Sequence, residues 1–248
     1  ELYEDEAFQQ RHLAALVVSK IYFYLGEFDE ALSFALGAES LFDVDQRNEY
    51  VETLVSKAID QYVVQRNTPG SPEINANITS IINKMITRCI EDRQYHQVLG
   101  IALEAQRLDV IEHVFSTTQD KTLLTYVLEM AMGVVNAVEV RRQVLQLLVK
   151  LFLSLDEPDY FSTAQCYVYL NEPQPTSELL RTLLQRSDKD DRAVLVAYQT
   201  AFDLVESATQ DFLHHVRSEL EKMKFDQEAP KQQVISILSG TETCLLYT

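Results

Sequence analysis

The first place to look for chemistry is the five histidines. Asp211-x-x-His214 pairs one of them with a carboxylate a single helical turn away, and His215 follows directly. Adjacent residues on a helix point about 100° apart, so His214 and His215 cannot share one ion. A helical di-metal centre needs two carboxylate–His units plus further carboxylates, and a second unit is missing. Pro69-Gly70-Ser71-Pro72 is the nearest approach to a phosphate loop, but no lysine follows it and its prolines remove backbone donors. No serine or cysteine sits in a nucleophile setting. Cys89 and Cys166 fall on apolar helical faces, where a thiol is buried and inert. The sequence therefore predicts no catalytic residue, metal ligand or cofactor site, and no small-molecule substrate.

The residues that do recur are small. Phe28-x-x-Ala31-x-x-x-Ala35-x-x-Ala38 returns as Tyr95-x-x-Val98-x-x-x-Ala102-x-x-Ala105, and more weakly as Phe161-x-x-Ala164-x-x-x-Val168. The offsets are 67 and 66 residues, close to twice the ~34-residue period of tetratricopeptide-type hairpins. Small residues at +3, +7 and +10 from an aromatic share one helix face, where a neighbouring helix can lie close. The packing residues expected to build such an array are Phe28, Ala31, Ala35, Tyr95, Ala102, Ala105, Phe161 and Ala164. Twelve tyrosines accompany no tryptophan; Tyr22, Tyr62 and Tyr126 occupy apolar helical positions and read as core rather than as platforms for bases.

Composition agrees. Six glycines and six prolines in 248 residues are less than half the roughly 12% of an ordinary globular chain, which favours long helices over many-turned β architectures. A net charge of −17 disfavours nucleic acid and anionic membranes, both of which need clustered Lys and Arg. Residues 1–50 hold 11 acidic and 3 basic side chains, which read as a solvated face or as a contact surface for a basic partner. No apolar run approaches the ~18 residues that span a bilayer; Lys150 interrupts the best one, Leu147 to Leu155. Three cysteines without paired spacing, and no signal peptide, point to a reducing intracellular compartment. The sequon at Asn77 is then a chance match. Both ends read as cut from a larger polypeptide.

Helices are expected over about 7–25, from Phe28 after the break at Gly26, over 48–63, 74–90, 94–105, 136–153, 190–206 and 208–224. The 48–63 segment carries Val51, Leu54, Val55, Ala58, Ile59 and Tyr62 on one face, the spacing of a one-sided helix. Asn67 to Glu73 reads as a loop, with Ser71 as N-cap and Pro72 at the first helical position. Pro158, Pro173 and Pro175 mark further helix starts. Phe225 to Gln233 is the best linker. No segment alternates long enough for a strand. The fold class is all-α, an α-solenoid of antiparallel helical hairpins.

Longer stretches are more specific. Tyr3-Glu4-Asp5-Glu6, Ala35-Leu36-Gly37-Ala38, Glu49-Tyr50-Val51-Glu52-Thr53, Ile101-Ala102-Leu103-Glu104, Arg107-Leu108-Asp109-Val110, Ala197-Tyr198-Gln199, Glu206-Ser207-Ala208 and Ile237-Leu238-Ser239-Gly240 occur in that order. Together they resemble the N-terminal rod of the largest non-ATPase subunit of the proteasome regulatory particle, over nearly the whole chain. The resemblance implies a helical-hairpin rod over 1–224, a shortened linker over 225–233, and the start of a toroid of proteasome/cyclosome repeats over 234–248. It also implies a non-catalytic scaffold in ubiquitin-dependent proteolysis, partnered by lid and base subunits, in cytoplasm and nucleus. The family's long low-complexity segment before the toroid is reduced here. Two other readings stay open: a generic tetratricopeptide-like adaptor, and a helical metal-dependent hydrolase.

Overall fold

The computed structural model describes residues 8–44, 46, 48–68, 76–135, 137–185, 191–225 and 228–240. Among them the regular elements are thirteen α-helices and one short 3-10 turn, with no strand. In chain order they are α1 (Arg11–Leu25), α2 (Phe28–Gly37), the 3-10 turn Glu39–Leu41, α3 (Glu49–Asn67), α4 (Ala76–Glu91), α5 (Tyr95–Glu104), α6 (Leu108–Thr118) and α7 (Lys121–Gly133). Then follow α8 (Val138–Leu153), α9 (Tyr160–Leu170), α10 (Pro173–Gln185), α11 (Asp191–Ser207), α12 (Gln210–Lys222) and α13 (Glu228–Leu238).

The chain divides into two compact units, residues 1–114 and 115–248. In the first, α1 packs on α2, α2 on α3, α3 on α4 and α4 on α5. In the second, α7 packs on α8 and α8 on α9. Beyond that point the helices touch both their next and next-but-one neighbours: α9 meets α10 and α11, α10 meets α11 and α12, and α13 meets α11 and α12. Contacts of that order build two layers, α9, α11 and α13 against α10 and α12, which is how hairpin repeats stack. One continuous core runs through them, including Leu180, Leu183, Ala197, Leu204, Phe212, Val216, Val234 and Ile237.

The tight reversals share one backbone device. Gly26, Arg93, Gln106, Gln119 and Asn171 all have positive φ, between 52° and 85°, and each stands two residues before the next helix, α2, α5, α6, α7 and α10. At Gly26, Arg93, Gln106 and Asn171 the same two hydrogen bonds close the turn. The Gly26 N–H donates to Phe23 O at 3.1 Å and Glu27 N–H to Tyr22 O at 3.0 Å. Gln106 N–H donates to Leu103 O at 3.2 Å, and Arg107 N–H to Ala102 O at 2.7 Å. This left-handed cap satisfies carbonyls that a helix end leaves open. Glycine adopts it freely; arginine, glutamine and asparagine do so against a Cβ clash. Packing of the hairpin arms holds the geometry, so the chain reverses repeatedly with only six glycines.

A Cβ at Gly26 or at Gly100, inside α5, would meet no atom within 4 Å. Backbone preference alone then sets the sign of a substitution. Gly26→Ala is expected to cost about 1 kcal/mol, from the left-handed φ. Gly100→Ala should gain up to about 1 kcal/mol, because alanine loses less backbone freedom in a helix. Thermal denaturation of the two variants checks it; shifts of the same sign would contradict the assigned turn.

Two stretches differ from expectation. The segment 225–233, expected to be a linker, carries the start of α13 at Glu228. Lys231 is buried there: its ammonium donates to Met223 O at 3.2 Å, at the end of α12, and to Glu228 Oε1 at 3.1 Å. It also lies 5.2 Å from the Phe225 ring centroid. A cation at a helix C-terminus is favourable, and Val234, Ile237 and Leu238 then continue the core beneath it. Between Ala105 and residue 136, where no helix was assigned, α6 and α7 form; Asp120 caps α7 by accepting from Thr122 N at 2.8 Å. Ser71, Pro72 and Glu73, and the 241–248 part of the expected toroid start, lie outside the described residues.

Candidate functional site

Ala31, Ala35, Ala102 and Ala105 are 0% exposed, and Ala164 is buried with them. In the first unit the absence of a long side chain at Ala31 lets α1 come close. Ser19, buried on α1, donates to Ala31 O at 2.6 Å. Its single proton is thereby used, so at 2.7 Å the Tyr50 hydroxyl is the donor to Ser19 Oγ. Burial pushes the Tyr50 phenol up, which keeps it protonated for that bond. Tyr22 stacks on Phe34 across the same seam, with centroids 5.5 Å apart and ring planes 4° from parallel.

Phe28 and Tyr95 are half-buried, but Phe161 is 51% exposed. The expectation that Phe161 packs as they do is off by one residue. Phe28 and Tyr95 are the first residues of α2 and α5, whereas α9 begins at Tyr160. Asp159 fixes that start, accepting from Ser162 N at 3.2 Å as N-cap. Tyr160 therefore takes the aromatic position and Thr163 the small one. A 100° turn carries Phe161 out of the seam. A further small-residue stripe, Ala193, Ala197 and Ala201 on α11, is buried as well; its four-residue spacing was the signal for it.

Polar staples complete the scaffold. Arg107 donates to both carboxylate oxygens of Asp109, to Tyr62 Oη at 3.1 Å and to Asn83 Oδ1 at 3.1 Å. It joins the loop after α5 to α3 and α4. Those bonds to Asp109 raise the Arg107 pKa and hold the Asp109 carboxyl below its usual range. Arg66 donates to the Ala105 and Gln106 carbonyls at 3.2 and 3.3 Å, tying α3 to the same turn.

Asp159, like Lys231, is a buried charged residue of the second unit. Burial alone would raise its pKa, but the Lys121 ammonium at 2.9 Å and the Ser162 donors outweigh it and hold it low. A depressed carboxyl contributes stability above its unfolded pKa of ~3.9, lost as pH falls through the lower folded value. Asp159→Ala should cost about 1–2 kcal/mol at neutral pH, with the cap. Its melting temperature should also fall less than the parent's when the pH drops from about 5 to about 3. An unchanged pH slope would contradict that role.

The residues weighed for chemistry stay apart. His215 Nδ1 donates to Asp211 O at 2.7 Å, a backbone contact. The His214 and His215 rings lie 6.1 Å apart at 83°. Among the described residues no three His, Cys, Asp or Glu side chains gather where an ion could sit. Cys89 and Cys166 are buried free thiols, and burial pushes Cys166 up to about 12. Cys166 should resist alkylation in the folded chain and label fully in denaturant. Mass spectrometry after an iodoacetamide pulse checks this; rapid labelling of native protein would contradict it.

What the structure offers instead is surface. On α1, Leu13, Val17, Ile21, Tyr24 and Leu25 are all exposed, a stripe at helical spacing that sequence periodicity alone could not distinguish from a core face. Tyr62 is buried as expected, while Tyr22 and Tyr126 are half-buried. Two open clefts of the second unit, about 870 and 310 Å³, share Phe161, Thr200 and Asp203. No helix among the described residues is long and apolar enough to cross a membrane.

Stacked hairpins with buried alanine seams and open helix faces define an all-α helical-repeat protein. The chain belongs to the family described as "26S proteasome subunit RPN2, N-terminal domain", which it matches over residues 1–248. It is 40% identical to the "26S proteasome regulatory subunit rpn2" of Schizosaccharomyces pombe, over 98% of this chain and 27% of that protein. It is 41% identical to the "26S proteasome non-ATPase regulatory subunit 1 homolog B" of Arabidopsis thaliana, over 98% of this chain and 24% of that protein. It is 40% identical to the Drosophila melanogaster "26S proteasome non-ATPase regulatory subunit 1", over 88% of this chain and 22% of that protein. The chain thus spans about a quarter of the length of these relatives.

Proposed function

We propose that this chain is a non-catalytic scaffold module of a proteasome regulatory particle. Its helix faces would hold other regulatory-particle subunits, of lid and base, for ubiquitin-dependent protein degradation in cytoplasm and nucleus. The observation that carries the reading is the match, along all 248 residues, to a domain of proteins named as non-ATPase regulatory subunits of the 26S proteasome. The geometry supports it. Small side chains are spent on helix seams, the polar staples reinforce those seams, and large apolar residues such as Ile21 and Phe161 stand open to water. Exposed apolar area rimmed by charge is what a protein-binding face presents.

The test is co-purification. The affinity-tagged chain, mixed with the other purified subunits of a 26S regulatory particle, should retain at least one at about 10 µM, the range of a modest protein interface. Retention of none at that concentration would overturn the reading.

A further inference from the structure

Phe161 is the one aromatic of the repeated pattern that packing leaves in water, and it stands where the two clefts of the second unit meet. Val196, on α11, is exposed and lines the larger cleft together with Phe161. The charged lining is uneven. Asp156, Glu157, Asp159 and Asp203 face Lys121 and Arg192 in the larger cleft, and Glu206 lines the smaller. Lys121 is paired with Asp159 at 2.9 Å, so these two cancel, and Asp156, Glu157, Asp203 and Glu206 outnumber Arg192 and leave the rim net acidic. An apolar anchor within a net-acidic rim selects its partner twice, by area removed from water and by charge.

We propose that the α9–α11 face is a docking surface for a protein segment that seats an apolar side chain against Phe161 and Val196 and carries lysine or arginine beside it. The inference rests on the scaffold reading above and gives that scaffold one of its contact faces. Nucleic acid is not the occupant, because the rim repels phosphate. Asp156 and Glu157 lie in the loop before α9 and are exposed, so a long basic side chain reaches them without displacing any helix.

The probe is the other subunits of a 26S regulatory particle, purified and titrated one at a time against the whole 248-residue chain by biolayer interferometry. At least one should bind. Its Kd should weaken about tenfold for Phe161→Ala, the loss of a central anchor. It should weaken about fivefold for Asp156→Lys combined with Glu157→Lys, and added salt should weaken the parent more than this double variant. Both changes are at exposed positions, and thermal melting verifies that folding is intact. If a subunit binds and both variants match the parent, the proposal fails while the scaffold reading stands; if no subunit binds, both fail. Loss with Phe161→Ala alone removes the basic partner. Loss with Val17→Asp on α1, and not with the cleft variants, moves docking to α1 and overturns the proposal. A self-dimer abolished by Phe161→Ala also overturns it, by assigning the face to a second copy.

Discussion

A chain carrying Ala102→Trp should melt well below its parent, with a loss on the order of 1–3 kcal/mol or more. Ala102 is wholly buried on α5, among Val98, Leu99 and Leu103. An indole there has nowhere to go without displacing a packed neighbour. Ala31→Trp should behave alike, because the Ala31 carbonyl receives the Ser19 hydroxyl of α1 at 2.6 Å, a spacing no large ring permits. Glu52→Gln on the exposed face of α3 is the control, with a shift within about 0.5 kcal/mol. Calorimetric melting of the three proteins decides it. Unchanged melting temperatures for both tryptophan variants would remove the close-approach account of these seams.

Tyr62→Ala is expected to cost about 3–5 kcal/mol, the range for deleting a buried aromatic. Tyr62 is 2% exposed and is among the largest fully buried side chains. Its loss leaves a cavity beneath α3 and takes one acceptor from Arg107. Tyr62→Phe separates the two effects, since it removes only the hydroxyl, for about 1 kcal/mol. Urea denaturation of both variants measures the difference. Equal losses would mean that the hydrogen bond to Arg107, rather than the ring, carries the stability.

The parts of this fold that were legible in the sequence are those written by local periodicity. The stripe of α3, the break at Gly26, the α4–α5 pair and the ends of α8, α11 and α12 all follow from apolar spacing and helix-end residues, within a few positions. Register within a helix is harder. One residue of error at Phe161 changed a packing aromatic into an exposed one, because Asp159, not the aromatic, sets where α9 begins. The 225–233 stretch looked like a linker because it is polar and holds Pro230, yet Lys231 buries its stem and finds a helix C-terminus for its charge. The staples were invisible for another reason. Arg107 reaches Tyr62 and Asn83 across 45 and 24 residues, and no local pattern encodes that separation. Sequence also cannot say which apolar side chains stay exposed among the described residues, so the α1 stripe and the α9–α11 face emerged only with the structure.

These features give the scaffold reading its physical content. Buried side chains hold the hairpins together, and on the proposed reading the outer faces of the helices would carry the contacts. Hydrogen–deuterium exchange tests this most directly, comparing the chain alone with the chain saturated by the other purified subunits of a 26S regulatory particle. The account predicts slowed exchange confined to segments bearing exposed apolar side chains, with the amides around Ala31 and Ala102 unchanged. Identical exchange at every amide, with all those subunits present, would contradict it.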